Sequence, residues 1–162
     1  EPGTVALPSF DKARDDRRAP AEWPRVVAPV DVLLFEGWCV GARPQRDAEL
    51  IAPLNALERS EDPQGAWRRH VNAALAGEYQ RLFARLDELV LLQAGSFEQV
   101  HAWRLEQEHK LRERLRAAGA GPGATMDDAA LARFLQLFER LTRHILAEMP
   151  ARADELLAVR RA

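Results

Sequence analysis

Glu36 is the residue whose surroundings point most directly at chemistry. It follows the apolar run Val32-Leu33-Leu34-Phe35 and precedes Gly37. A carboxylate leaving a buried strand stands at the mouth of a sheet, where it can hold a magnesium ion through water or orient a nucleophile. Gly37, without a Cβ, would let a phosphate or substrate approach the backbone closely. The plainer account is a carboxylate that merely exits a strand, and pattern alone favours it. Phe10-Asp11-Lys12 is the second candidate, although a charged pair in a loop is by itself usually solvated. The third is a set of cations in one helical stretch: Arg104, Lys110, Arg112, Arg114 and Arg116. Such cations can clamp phosphoryl oxygens in a closing lid. They equally suit a solvated face paired with Glu106, Glu108 and Glu113, and composition does not separate the two.

Other signals fail on spacing. His101, Glu106 and His109 do not match the His-Glu-x-x-His zinc pattern. The glycine-rich stretch from Gly119 to Thr125 follows a helix rather than a strand and has no lysine, so it is not a phosphate-binding Walker A loop. Cys39 has no His-centred constellation nearby in sequence and reads as a small buried apolar residue. Trp23, Trp38, Trp67 and Trp103 read as packing residues.

Positioning Glu36 requires a strand, and residues 30–35 are too short for a helix and too continuously apolar for a half-solvated strand. A strand buried on both faces of a parallel sheet fits. Residues 89–92 and 155–159 have the same character. Helices lie between them. Val71, Leu75, Tyr79, Leu82 and Phe83 recur at helical spacing. Ser96 with Gln99 forms a capping box for a helix running to about Ala118, with Phe97, Val100, Trp103, Gln107, Leu111 and Leu115 on one side. Thr125 with Asp128 suggests another box, ahead of the stripe Leu131, Phe134, Leu135, Phe138, Leu141, Ile145 and Met149, which Pro150 stops. The first 29 residues, broken by Pro2, Pro8, Pro20, Pro24 and Pro29, read as an exposed loop with a job or a partner. Strands alternating with helices predict an α/β domain with a parallel sheet and flanking helices. Its ligands would collect at the carboxyl ends of the strands, at Glu36-Gly37 and Gln93-Ala94-Gly95-Ser96.

Composition bounds the function. The chain has 162 residues, suited to one domain, and its 47% hydrophobic content argues against overall disorder. With 23 basic and 25 acidic residues and a net charge of −2, there is no basic excess to suggest a nucleic-acid partner. No apolar run approaches the length that spans a bilayer. One cysteine and the absence of a secretory signal lead us to expect a cytoplasmic protein. The start at Glu1, without an initiator methionine, leads us to expect an excerpt of something longer.

Taken together, the motifs resemble the bacterial and plant-type D-glycerate 3-kinase family. The resemblance is carried by Leu7-Pro8-Ser9-Phe10-Asp11-Lys12-Ala13, Asp15-Asp16-Arg17, and the run from Val32 to Gly41 containing Glu36-Gly37-Trp38. Pro53-Leu54-Asn55, Val71-Asn72 and the run from Trp103 to Arg112 extend it along nearly the whole chain. It implies a P-loop kinase fold and ATP-dependent phosphorylation of a small hydroxy acid or sugar-like alcohol, with Mg2+ as cofactor and ATP as co-substrate. By resemblance Glu36 takes the Walker B-like position near magnesium. Asp11 would hydrogen-bond an acceptor hydroxyl, with Lys12 beside it. Arg104 and Arg112 match the lid, where they would neutralise charge on the transferred phosphoryl group. Asp16 and Arg17 match a Gly-Asp-Arg element in which Asp15 replaces the glycine. No motif singles out the residues that read an acceptor carboxylate; Arg17 and Arg43 are the candidates.

The sequence departs from that family at its most important point, because it contains no Walker A loop and no strand leading into one. Without the loop and its lysine there is no cradle for the β- and γ-phosphates. The expectation is a partial P-loop kinase domain whose first strand is absent. Residues 1–29 would be an acceptor-binding loop, and 30–95 the Walker B-like strand, helices and next strand. Residues 96–125 would be a lid helix region and 126–162 a C-terminal helix and strand. In related kinases the first strand lies between the other two, so its absence would leave unpaired edges beside an apolar gap. A missing N-terminal segment or a partner chain would cover that gap. Alone, the 162 residues are expected to transfer little or no phosphate. The alternative is a catalytically inactive, kinase-derived interaction module.

Overall fold

Prolines spaced along the first 29 residues leave room for short strands between them, and short strands form. A computed structural model describes residues 3–11, 14–119 and 125–159. The chain divides into two units, Glu1–Gly37 and Trp38–Ala162. In the first, β1 (Gly3–Ala6) pairs antiparallel with β4 (Arg25–Ala28), and β2 (Phe10–Asp11) with β3 (Asp16–Arg17). Among the described residues, the loop expected over residues 1–29 therefore contains two short antiparallel strand pairs. Pro8, Pro20, Pro24 and Pro29 lie outside the paired positions, and a ribbon of edge strands tolerates them there. Pro24 even extends the ladder, its carbonyl accepting the Leu7 N–H at 2.9 Å.

The strand expected over residues 30–35 is not formed. These residues have no regular secondary structure, and Val30, Val32, Leu33, Leu34 and Phe35 are between 47% and 89% exposed. A strand apolar on both faces needs ladder partners and covering layers to repay its ordering, and no described strand pairs with this one.

The second unit holds β5 (Val90–Gln93) and β6 (Glu155–Ala158), paired parallel as the runs at 89–92 and 155–159 suggest. Between them, and before them in the chain, lie α1 (Ala56–Glu61), α2 (Ala66–Ala74), α3 (Gln80–Phe83), α4 (Phe97–Ala117) and α5 (Asp128–Glu148). A π turn, Leu75–Tyr79, joins α2 to α3. The fold is mixed α/β, with small sheets and helices, and the parallel sheet has two strands among the described residues.

The α5 stripe forms the centre of packing. Leu141, Ile145 and Met149 join Ala42, Leu75 and Leu91 in one core, while Leu131 and Leu135 pack with Phe97 in another. Ser96 caps α4, its hydroxyl accepting the Gln99 N–H at 3.2 Å; Gln99 reaches back one residue further than a strict box, to the Gly95 N–H at 2.7 Å. The box expected at Thr125 is displaced: Asp127 caps α5, its Oδ1 accepting the Ala130 N–H at 2.7 Å. Asp128 is thereby left to face α4. Of the side expected on α4, Phe97 is buried, Val100, Trp103 and Leu115 are half-buried, and Gln107 and Leu111 are exposed. Trp67 is not a packing residue, being 70% exposed. Among the described residues no helix is long and apolar enough to cross a membrane.

Candidate functional site

The candidate residues fall in both units. In the first, Asp11 ends β2, with Arg18 Nη2 3.5 Å and Arg14 Nε 3.9 Å from its Oδ2. Arg17 lies opposite Phe10 on β3 with its side chain exposed, and its N–H donates to Asp16 Oδ1 at 2.7 Å. Asp15, where the resemblance expects glycine, has φ 53°, a left-handed conformation that aspartate tolerates better than most residues. Lys12 lies outside the described residues. Glu36 and Gly37 end the exposed irregular segment, and Glu36 makes no hydrogen bond or ion pair among the described residues.

In the second unit, α4 sends its two candidate arginines in different directions. Arg104 Nη1 donates to Gln107 Oε1 at 2.5 Å, on a cleft of about 480 Å³ that Lys110 and Arg114 also line. Lys110 pairs with Glu106 at 2.6 Å. Arg112 instead turns to α5 and pairs with Asp128, which His109 Nε2 also approaches at 3.2 Å. The Arg112 hydrogen bond, and after it that of His109, hold the Asp128 carboxyl below its usual range. Arg112 thus ties α4 to α5, and Arg104 is the candidate left facing the cleft. Cys39 packs against the core, where burial pushes its thiol up, as expected of a packing residue.

A second cleft, of about 490 Å³, is walled by Trp38, Trp67, Val71, Leu137 and Phe138. The ionised groups beneath it are committed to the fold. Arg140 grips Glu58 with two bonds of 2.6 Å. Arg68 donates to the carbonyls of Leu50, Ile51 and Asp62 and to the Asp62 carboxylate. Asn55 caps α1 and donates to the Gln136 carbonyl at 2.9 Å, and Asn72 brackets the main chain of Gln45. In the sequence Asn55 and Asn72 stand out only as part of a resemblance; in the structure both bond the main chain of other segments. Asn55-x-x-Glu58 is readable as a helix start, because Glu58 Oε2 accepts the Leu54 N–H at 2.7 Å. The Asn72 contact spans 27 residues and leaves no local signal.

These pairs set an acid limit on stability. Burial works to raise the Glu58 pKa, but Arg140 and the Leu54 N–H outweigh it and the net shift is downward. At Asp62 burial is likewise outweighed, by the N–H groups of Trp67 and Arg68 and the Arg68 charge; at Glu148, by Arg152. A carboxyl with a depressed folded pKa contributes stability above its unfolded value, near 4, and loses it as pH falls through the folded one. The urea midpoint of the second unit should therefore be level from pH 7 to about 5 and fall below about pH 4. Arg140→Gln should lower the midpoint at pH 7 and make the acid fall shallower, because Glu58 loses the partner that holds its pKa down. A midpoint rising on acidification would contradict this.

Among the described residues no group of three or more His, Cys, Asp or Glu is placed to hold a metal. No Gly-x-x-x-x-Gly-Lys-Ser/Thr pattern occurs in the sequence.

No family model matches the chain. It is 33% identical over 118 residues to an uncharacterized kinase of Schizosaccharomyces pombe, covering 68% of this chain and 41% of that protein. It is 27% identical over 154 residues to the chloroplastic D-glycerate 3-kinase of Arabidopsis thaliana, covering 93% of this chain and 31% of that enzyme. It is 30% identical over 115 residues to a probable ATP-dependent kinase of Saccharomyces cerevisiae, covering 67% of this chain and 36% of that protein. The chain is related to kinases, and spans about two fifths or less of the length of these curated relatives.

Proposed function

We propose that these residues are the acceptor-binding and lid-bearing part of an ATP- and Mg2+-dependent kinase that phosphorylates an alcohol group of a small hydroxy acid, D-glycerate first among them. The observation that carries this is the match to a D-glycerate 3-kinase along 93% of the chain. In this reading Glu36 holds magnesium through water, an assignment supported by its exposed carboxylate, which has no hydrogen-bond or ion-pair partner among the described residues. Bound Mg-ATP would supply the phosphoryl group. Asp11 accepts a hydrogen bond from the acceptor hydroxyl, Lys12, next to it in the sequence, is a further substrate-binding candidate, and Gly37 allows close approach. Arg17 and Arg43 are the cations for the acceptor carboxylate. Arg104 and Arg112 belong to the lid; Arg104, on the α4 cleft, is the better placed to neutralise phosphoryl charge. The setting would be cytoplasmic.

The apolar run at residues 30–35 is too exposed to be complete as it stands. A further segment of the same polypeptide would cover it and bring the phosphate cradle. The same run supports the second reading, an inactive kinase-derived module that binds a partner chain there. A Gly-x-x-x-x-Gly-Lys-Ser/Thr loop elsewhere in the polypeptide decides for the enzyme. A coupled ADP-release assay tests it: the full-length protein should turn over ATP only when D-glycerate is present, and residues 1–162 alone should not.

A further inference from the structure

Arg43 lies in a stretch without regular secondary structure, yet its main chain is held from several elements. His144 Nε2 on α5 lies 3.0 Å from the Arg43 carbonyl, and the Arg43 N–H donates to Glu148 Oε1 at 3.4 Å. Just before it, the Gly41 carbonyl accepts from Arg152, and the Ala42 carbonyl from Gln80 Nε2 at 2.7 Å. Just after it, Asn72 on α2 grips both main-chain groups of Gln45, its Oδ1 accepting the N–H at 2.7 Å and its Nδ2 donating to the carbonyl at 3.0 Å. Gly41 and Ala42 are buried and need such partners. Arg43 is exposed, and water would satisfy its main chain as well. Its guanidinium, in contrast, makes no hydrogen bond or ion pair among the described residues.

We propose that Asn72 and His144 are positioning residues for Arg43, holding the main chain at Gln45 and at Arg43 so that the guanidinium is presented to the carboxylate of the acceptor. The inference rests on the reading of this chain as the acceptor-binding part of a kinase. A guanidinium meets a carboxylate through two parallel N–H···O bonds, which reward an exact approach. Fixing the backbone beneath it removes part of the ordering that binding must otherwise supply. Loss of a backbone clamp therefore weakens acceptor binding without touching the transferred group.

The test is steady-state kinetics of the full-length protein with D-glycerate. Arg43→Gln should raise the acceptor KM about 10–100-fold, the loss of one charge-assisted bidentate contact. Asn72→Ala should raise it about 5–10-fold, with kcat and the ATP KM within about twofold of the parent. In Asn72→Ala/Arg43→Gln the effect should not exceed that of Arg43→Gln alone, because Asn72 acts through Arg43. His144→Ala, an independent variant should Asn72→Ala fail to fold, should behave the same way. His144→Gln, whose amide can donate to the same carbonyl, should recover most of the loss. Effects that multiply in the double variant, or a lowered kcat at unchanged acceptor KM, overturn the inference while leaving Arg43 as a contact. An unchanged acceptor KM in Arg43→Gln overturns it and removes Arg43 from the site, but leaves the kinase reading. A full-length protein with no glycerate-dependent turnover overturns both.

Discussion

Glu36→Gln in the full-length protein should lower kcat about 10²–10³-fold while leaving its thermal unfolding midpoint unchanged. The substitution keeps the shape of the side chain and removes its charge. In the structure Glu36 is exposed, lies in an irregular segment and has no hydrogen-bond or ion-pair partner among the described residues. Nothing in the fold therefore depends on that charge. In the proposed kinase its use is to hold the water around magnesium, and a neutral amide holds such water far less strongly. The two readouts separate a functional carboxylate from one that only ends an apolar run. A parent-like kcat would remove Glu36 from the site.

Arg68→Leu should destabilise the second unit by about 3–5 kcal/mol, measured as a fall in the urea midpoint at pH 7. Arg68 is 6% exposed. Its guanidinium bonds the Leu50 carbonyl at 2.6 Å, the Asp62 carbonyl at 2.5 Å and the Ile51 carbonyl at 3.1 Å, and pairs with the Asp62 carboxylate at 3.2 Å. Leucine fills much of the volume but leaves a buried carboxylate and several carbonyls without their donors, and that loss dominates. Arg68→Lys should recover only part of the loss, because an ammonium cannot fork to carbonyls on separate turns. A change below about 1 kcal/mol for the leucine variant would contradict the burial and bonding described for Arg68.

The elements legible in the sequence were those set by local rules. Ser96 begins α4 because a hydroxyl three residues before a free N–H is a local arrangement, and α5 buries Leu131, Leu135, Leu141 and Ile145 because a stripe at helical spacing needs only one surface to lie on. Val90–Gln93 and Glu155–Ala158 were legible because each has the other as its partner. Residues 30–35 carry the same apolar signal and form no strand, since a strand is fixed by neighbours that its own sequence does not contain. The ribbon at Gly3–Ala6 and Arg25–Ala28 is masked in the sequence by prolines that sit between its paired positions. The site divides along the same line. Glu36, Asp11 and Arg104 were named from residue type and order, whereas the grip of Asn72 on Gln45 and of His144 on Arg43 joins residues far apart in the chain. The pairing of Arg112 with Asp128 likewise depends on where α5 begins.

The most direct measurement is ADP release by the full-length protein and by residues 1–162, each supplied with Mg-ATP and D-glycerate. Release that depends on glycerate in the first and is absent in the second is the predicted result. Phosphorylation of glycerate by the 162 residues alone, or none by the full-length protein, would contradict the account.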